Sequence, residues 1–313
     1  MSIRSLLLSA PLAAQLVLGC VGAPAAPDLS ASSVDTARVV ADLRVLAADS
    51  MEGRATGTPG SARARRFLVD AFGEAGLQPF GASFEQPFEL ESGGVALQAV
   101  NVVGYVAGEE PDGPVIVITA HYDHLGIQDG VIYNGADDNA SGTAVLLAIA
   151  RHLRESAPNH TVILAALDAE ELGLRGAQAF VQDPPVERDR IALNINLDMV
   201  GRNSRGEMYV AGAYHYPFLR PLLEEVAANA PLRLRLGHDS PDLPPGNDWT
   251  QQSDHAAFHA VGIPFVYFGV EDHPDYHRPT DDAERIAPGF LAASVATIIS
   301  AVELLDENLA TVP

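Results

Sequence analysis

Five short groups of His, Asp and Glu in this 313-residue chain could bind a metal ion or move a proton. They are His121-Tyr122-Asp123-His124, Gly135-Ala136-Asp137-Asp138-Asn139, Asp168-Ala169-Glu170-Glu171, Asp198, and Asp275-Tyr276-His277-Arg278-Pro279. Each alone is a weak signal, because an Asp or Asn opening a helix is usually only its N-cap. Gathered on one edge, their carboxylates would repel one another strongly in a partly desolvated cleft. Bound divalent cations remove that conflict. Two His and three carboxylates without sulfur suit Zn²⁺, with Mn²⁺ or Co²⁺ as substitutes. Three carboxylates, one of them shared, exceed the needs of one catalytic zinc and fit two ions ~3.5–4 Å apart. His121 and Asp123 stand at i and i+2, so on an extended segment both face the same way. Asp123 can then accept the second imidazole N–H of His121 and orient the ring. The neighbours Glu170 and Glu171 should diverge, leaving one to bind metal and the other free as a base.

The elements that must position these groups are legible around them. Short β-branched runs at 99–106, 115–120, 161–167, 191–197, 207–211 and 264–268 read as strands. They alternate with helical stretches at 140–155, 173–181, 216–230, 254–260 and 288–305, after two earlier helices at 35–48 and 61–73. The runs VIVITA and TVILAAL are almost wholly apolar, as interior strands covered on both faces by helices must be. The expected fold is a single three-layer α/β/α domain with a mixed, mostly parallel central sheet. Ligands of such sheets gather beyond the carboxyl ends of the strands, and the polar groups follow the apolar runs.

Composition narrows the function. The chain has 19 basic and 41 acidic residues, a formal charge of −22 and a pI near 4.6. So acidic a chain repels phosphate backbones, which excludes nucleic acid as a main partner. All the basic residues are Arg, so a Schiff-base lysine, a P-loop lysine and a Ser–Lys dyad are excluded. Cys20 is the one cysteine, which rules out an intrachain disulfide and a cysteine zinc site. It ends the segment Leu16-Val17-Leu18-Gly19-Cys20, after an apolar run at 6–18 that is too short to span a bilayer comfortably. That segment resembles a bacterial lipobox; the alternative is an ordinary signal peptide cut near 23–26. Residues 1–20 therefore read as a signal peptide with a lipobox, 21–34 as a flexible tether and 35–310 as the catalytic domain. Export is expected, as a periplasmic or outer-membrane-anchored lipoprotein or as a secreted protein, with any membrane contact made through the N-terminal lipid.

The motifs HYDHLG, NGADDNASG, AALDAEELGLRG, NLDMVGR and DYHRPTDD, in this order, resemble the zinc-dependent aminopeptidases of metallopeptidase family 28. Glutamate carboxypeptidase and glutaminyl cyclase are relatives in that family. The resemblance covers roughly residues 37–305. It implies the zinc exopeptidase fold, two Zn²⁺ per chain and a peptide substrate with a free N-terminus. It implies His121 and Asp198 on one metal, Glu171 and His277 on the other, Asp137 as the bridging carboxylate, and Glu170 as general base. Asp123 matches the partner of the first histidine, and Asp137-Asp138 matches a pair joined by a cis peptide bond. Two features of some family members have no counterpart here: an inserted protease-associated domain, and a disulfide near the substrate pocket. The competing readings are a glutaminyl cyclase on one zinc, a carboxypeptidase or dipeptidase, and a non-catalytic receptor-like module. His124, Asp168 and Asp254 read as hydrogen-bonded supports. His255 reads as a substrate neighbour or a packed histidine, and Tyr267 and Tyr276 as donors to a reacting carbonyl or as core residues.

Overall fold

The apolar runs of the sequence become the middle of a sheet in the computed structural model, which describes residues 35–309. The signal peptide, lipobox and tether lie outside the described residues. The strands are β1 (Glu85–Ser92), β2 (Val95–Val106), β3 (Glu110–His121), β4 (Gly126–Gln128), β5 (Val131–Tyr133), β6 (His160–Leu167), β7 (Ile191–Leu197), β8 (Glu207–Ala211), β9 (Arg233–Leu236) and β10 (Phe265–Gly269). Eight of them form one sheet in the order β1-β2-β6-β3-β7-β10-β8-β9, and β4 and β5 make a separate hairpin. The central four, β6, β3, β7 and β10, run parallel. Antiparallel pairs flank them at β2–β6 and β10–β8.

Side-chain alternation along the strands divides the core into two layers. Ile116, Ile118 and Ala120 of β3 join a cluster with helices α1 (Thr36–Leu46), α2 (Pro59–Glu74), α3 (Gly142–Glu155), α5 (Arg220–Asn229) and α7 (Pro288–Glu307). Val115 and Val117 face the other way, onto Phe180 of α4 (Arg175–Gln182) and Phe258 of α6 (His255–Ala260). The result is the expected α/β/α sandwich. Although α7 is long and apolar enough to cross a membrane, Leu291, Val295, Ile298, Val302 and Leu305 all sit in the core cluster.

Four strands were not foreseen: the two of the β4–β5 hairpin, and β1 and β9 of the main sheet. The sequence of β1, EQPFELES, alternates between exposed and half-buried positions, so it shows no apolar run. The edge strand β9, RLRL, has only four residues. The parallel centre has the geometric consequence that matters for function. The carboxyl ends of β3, β6, β7 and β10 open on one edge, next to the segment Ala136–Ser141 that leads into α3.

Candidate metal centre

His121 is the last residue of β3 and is buried. Its Nε2 lies 3.4 Å from Asp138 Oδ1 and 3.3 Å from Asp198 Oδ1, the carboxylate just beyond β7. A second group meets the other oxygen of Asp138. His277 Nε2 is 3.0 Å from Asp138 Oδ2 and 3.3 Å from Glu171 Oε2. His124 Nδ1 is 2.8 Å from Glu171 Oε1 and 3.7 Å from Asp138 Oδ2. Two sets of donor atoms, His121–Asp138–Asp198 and His124–Asp138–Glu171, are each compact enough to hold an ion. His124 Nδ1 and Glu171 Oε1 make no hydrogen bond despite their closeness. Buried polar atoms are normally paired, so two converging donors without a bond between them fit a shared cation.

The central carboxylate belongs to Asp138, and this corrects the expectation for Asp137. Asp137 turns away from the cleft: its Oδ1 accepts the Gly201 N–H at 2.7 Å, and its Oδ2 lies 3.1 Å from His273 Nε2. The cis peptide bond is Asp138–Asn139, not Asp137–Asp138. The physical reason lies in the turn. Gly135 takes a left-handed conformation (φ 55°), and Asp138 is non-helical (φ −104°, ψ 95°), so consecutive side chains point to opposite sides. Asp281 fixes this arrangement by accepting the amides of Asp137 and Asp138 at 3.0–3.1 Å. Asn139 completes it, donating to Leu197 O and accepting from Gly142 N and Met199 N.

Asp123 serves two segments. Its Oδ1 lies 3.6 Å from His121 Nδ1, which also sits 3.3 Å from the Asp123 carbonyl oxygen. The same carboxylate accepts the amides of Glu170 at 3.1 Å and Glu171 at 3.2 Å. The doublet is thus pinned by its backbone while its side chains part. Glu171 reaches the second donor group; Glu170 bonds neither His121 nor His277 and interacts with the charges of His121, Asp254 and Asp198.

The electrostatics follow from crowding. Burial opposes charge on His121, but Asp198 and Glu170 hold its pKa well above the ordinary value. Bonds to Asp138 and Glu171 push His277 up to about 10. Asp138 is held well below the carboxylate range by His124, His121 and His277, against its burial. Burial drives Glu170 well upward, and Asp254 and Asp198 add to it while His121 opposes. Positive charge is what this cleft demands, and the upward shifts of His121 and His277 express that demand.

Asp168 is a support: it accepts from Thr56 Oγ1, Val100 N and Tyr122 Oη. Asp254 is fully buried, and neither carboxylate oxygen has a hydrogen-bond partner among the described residues. His255 is packed, stacked on Tyr267 with ring centres 4.5 Å apart and with Nε2 2.9 Å from Trp249 O. Tyr276 stacks on His277 at 4.0 Å. Sequence reasoning missed His124 as a ligand candidate, although it stands three residues after His121. It also missed His273, Asp281 and Arg54, whose contacts are long-range and leave no local pattern.

The fold and site together define a metallopeptidase-like α/β domain. The sequence profile described as Peptidase family M28 matches residues 101–302, and the chain belongs to that family. Aminopeptidase YwaD of Bacillus subtilis is 32% identical over 217 residues, covering 64% of this chain and 44% of that protein. A probable zinc metalloprotease of Pyrenophora tritici-repentis is 34% identical over 152 residues, covering 45% of this chain and 31% of that protein. The chain thus spans less than half the length of these curated relatives. Among solved structures, the zinc aminopeptidase BSAP of Bacillus subtilis superimposes with a TM-score of 0.68 at 18% identity, covering 85% of this chain and 94% of that one. A glutaminyl cyclase of Porphyromonas gingivalis gives 0.70 at 22%, covering 88% and 99%. Both share the fold.

Proposed function

We propose that this chain is a zinc-dependent aminopeptidase that cleaves the N-terminal peptide bond of peptides at a two-metal centre. The observation that carries this reading is the pair of donor groups sharing Asp138, with the Glu170 carboxylate beside them. His121, Asp138 and Asp198 would hold one ion, and Asp138, Glu171 and His277, with His124 alongside, the other. Zinc bound there supplies an activated water and a Lewis acid for the scissile carbonyl. Glu170 accepts the water proton and passes it to the leaving amine. Its burial suits the task, because a carboxylate whose pKa is pushed upward is a stronger base toward the water proton than an exposed one. Asp123 keeps His121 and the Glu170–Glu171 backbone in register. The surplus of carboxylates favours a substrate that brings its own positive charge, the free α-ammonium group. The export signal read in residues 1–20 would put this activity outside the cytoplasm.

The test is a panel of aminoacyl anilides, N-blocked peptides and N-terminal glutaminyl peptides, assayed on protein of measured metal content. The expected result is two zinc per chain, turnover of unblocked anilides, loss on chelation and recovery on adding Zn²⁺ or Co²⁺. Full activity after verified metal removal would sink the reading. One zinc per active chain with cyclisation of glutaminyl peptides would replace it with the cyclase.

A further inference from the structure

Arg54 is the largest fully buried side chain of the described residues. A buried guanidinium ordinarily finds a carboxylate. Among the described residues none forms an ion pair with it; Arg54 spends its donors on main-chain carbonyls. Nε donates to Tyr122 O at 2.7 Å, Nη1 to Leu46 O at 2.8 Å and Asn134 O at 2.5 Å, and Nη2 to Gly135 O at 2.9 Å. Those carbonyls are not scattered. Tyr122 lies between His121 and Asp123. Asn134 and Gly135 lead directly into the turn that carries Asp138. One rigid fork therefore bridges the end of β3 and the Asp138 turn from behind.

The backbone is bent to deliver this side chain. Glu52, Gly53 and Arg54 all have positive φ, at 51°, 65° and 52°. A Cβ on Gly53 would strike the carbonyl oxygen of Tyr133, so glycine is required at that approach. Left-handed non-glycine residues are strained and persist where surrounding contacts over-determine them. Burial lowers the Arg54 pKa to about 10, while Asp138, Asp123, Asp281 and Glu171 support its charge. It is a cation at neutral pH, set beneath the carboxylates of the cleft.

We propose that Arg54 is a positioning residue of the metal centre, fixing the distance between His121 and Asp138 through the carbonyls of Tyr122, Asn134 and Gly135. This rests on the reading of the two donor groups as a zinc site. Lys keeps the charge but not the planar fork, and cannot span the same four carbonyls. Met keeps the bulk and loses both. The experiment measures zinc affinity of chelator-treated Arg54→Lys and Arg54→Met against a chromophoric competitor, with the visible spectrum of the Co²⁺ forms and metal-free melting curves. Arg63→Lys is the control: it lies nearby, is half-buried, and bonds Ser50 O and Glu52.

Supporting contacts behind metal ligands are worth about 10–100-fold in affinity. Arg54→Lys should therefore be folded yet bind zinc in that range more weakly, with shifted Co²⁺ bands. Arg54→Met should be weaker still, and Arg63→Lys should match wild type. A lowered melting temperature with unchanged zinc affinity and Co²⁺ spectrum would show a merely structural residue and overturn the proposal. So would failure of both Arg54 variants to fold with or without zinc. Wild-type protein that binds no zinc would instead overturn the metal-centre reading itself, and this proposal with it.

Discussion

Asp138→Asn should dismantle both halves of the metal centre, whereas Asp137→Asn should leave it loaded. Asp138 offers Oδ1 to the group of His121, at 3.4 Å from Nε2, and Oδ2 to that of His277, at 3.0 Å. Losing its charge removes the one anion common to the two groups. Changes behind a ligand cost about 10–100-fold in metal affinity, so loss of a shared anionic ligand should exceed the upper figure at each site. At about 1.4 kcal/mol per decade, that is more than about 3 kcal/mol per ion. Asp137 makes a 2.7 Å bond from Gly201 N and a 3.1 Å contact with His273. Asn retains a carbonyl oxygen for the first and loses only charge assistance, at most about 1.5–3 kcal/mol of stability. The predicted signature is therefore split: Asp138→Asn loses zinc in a competition titration and in elemental analysis, while Asp137→Asn keeps both ions and melts earlier. If Asp137→Asn empties the site and Asp138→Asn stays loaded, the geometry of the turn is refuted.

The remaining predictions use the same assays. Glu170→Gln should retain two zinc ions and bind substrate normally while kcat falls by about 10²–10⁴, the cost of losing a positioned base. Glu171→Gln should lose metal first, and activity in consequence, with partial rescue at high zinc; the reverse pattern of metal content would exchange their roles. Asp254→Asn should stabilise the chelated protein. Burial pushes this carboxyl from 3.8 up to about 7, with Asp123 and Asp198 adding and His121 opposing. A raised carboxyl costs stability progressively as pH climbs from about 4 to 7, so the Asn variant should gain on the order of 1–4 kcal/mol above pH 7 and nothing near pH 4. Melting curves of the two proteins that coincide at both pH values would contradict it. If Cys20 carries lipid, Cys20→Ser should move the enzyme from the membrane fraction to the soluble one; unchanged partitioning would favour ordinary secretion.

The ligand-bearing edge was legible because parallel sheets tie chemistry to chain direction. Apolar runs ending at 120, 167, 197 and 268 each lead within a few residues to a polar group, and the strands β3, β6, β7 and β10 indeed open on one edge. The alternation of Ile116 and Ile118 against Val115 and Val117 between two helical layers was implicit in the same runs. Adjacent residues on irregular backbone were another matter. Nothing in Asp137-Asp138 distinguishes its members as side chains; they differ in the backbone angles that aim them. Spacing arguments work where the period is 2 or 3.6, and Ala136–Ser141 has neither.

The same reasoning explains why the supports Asp281 and Arg54 escaped notice while His121, Glu171, Asp198 and His277 did not. A ligand candidate announces itself by residue type beside a strand end. A support is defined by what it touches, and here the touching segments are far apart in sequence. Asp281 reaches Asp137 and Asp138 across more than 140 residues, and Arg54 reaches Asn134 and Gly135 across 80 or more. Asn134 is itself tied to Asp49 and to Asp282, at 2.9 and 3.0 Å. The turn that carries Asp138 is thus gripped by an early segment on one side and by the loop bearing His277 on the other. Neither grip exists until the sheet has brought those segments together. It follows that the donor atoms around Asp138 reach their spacing only as tertiary structure closes, so the metal centre and the fold are specified by one set of contacts.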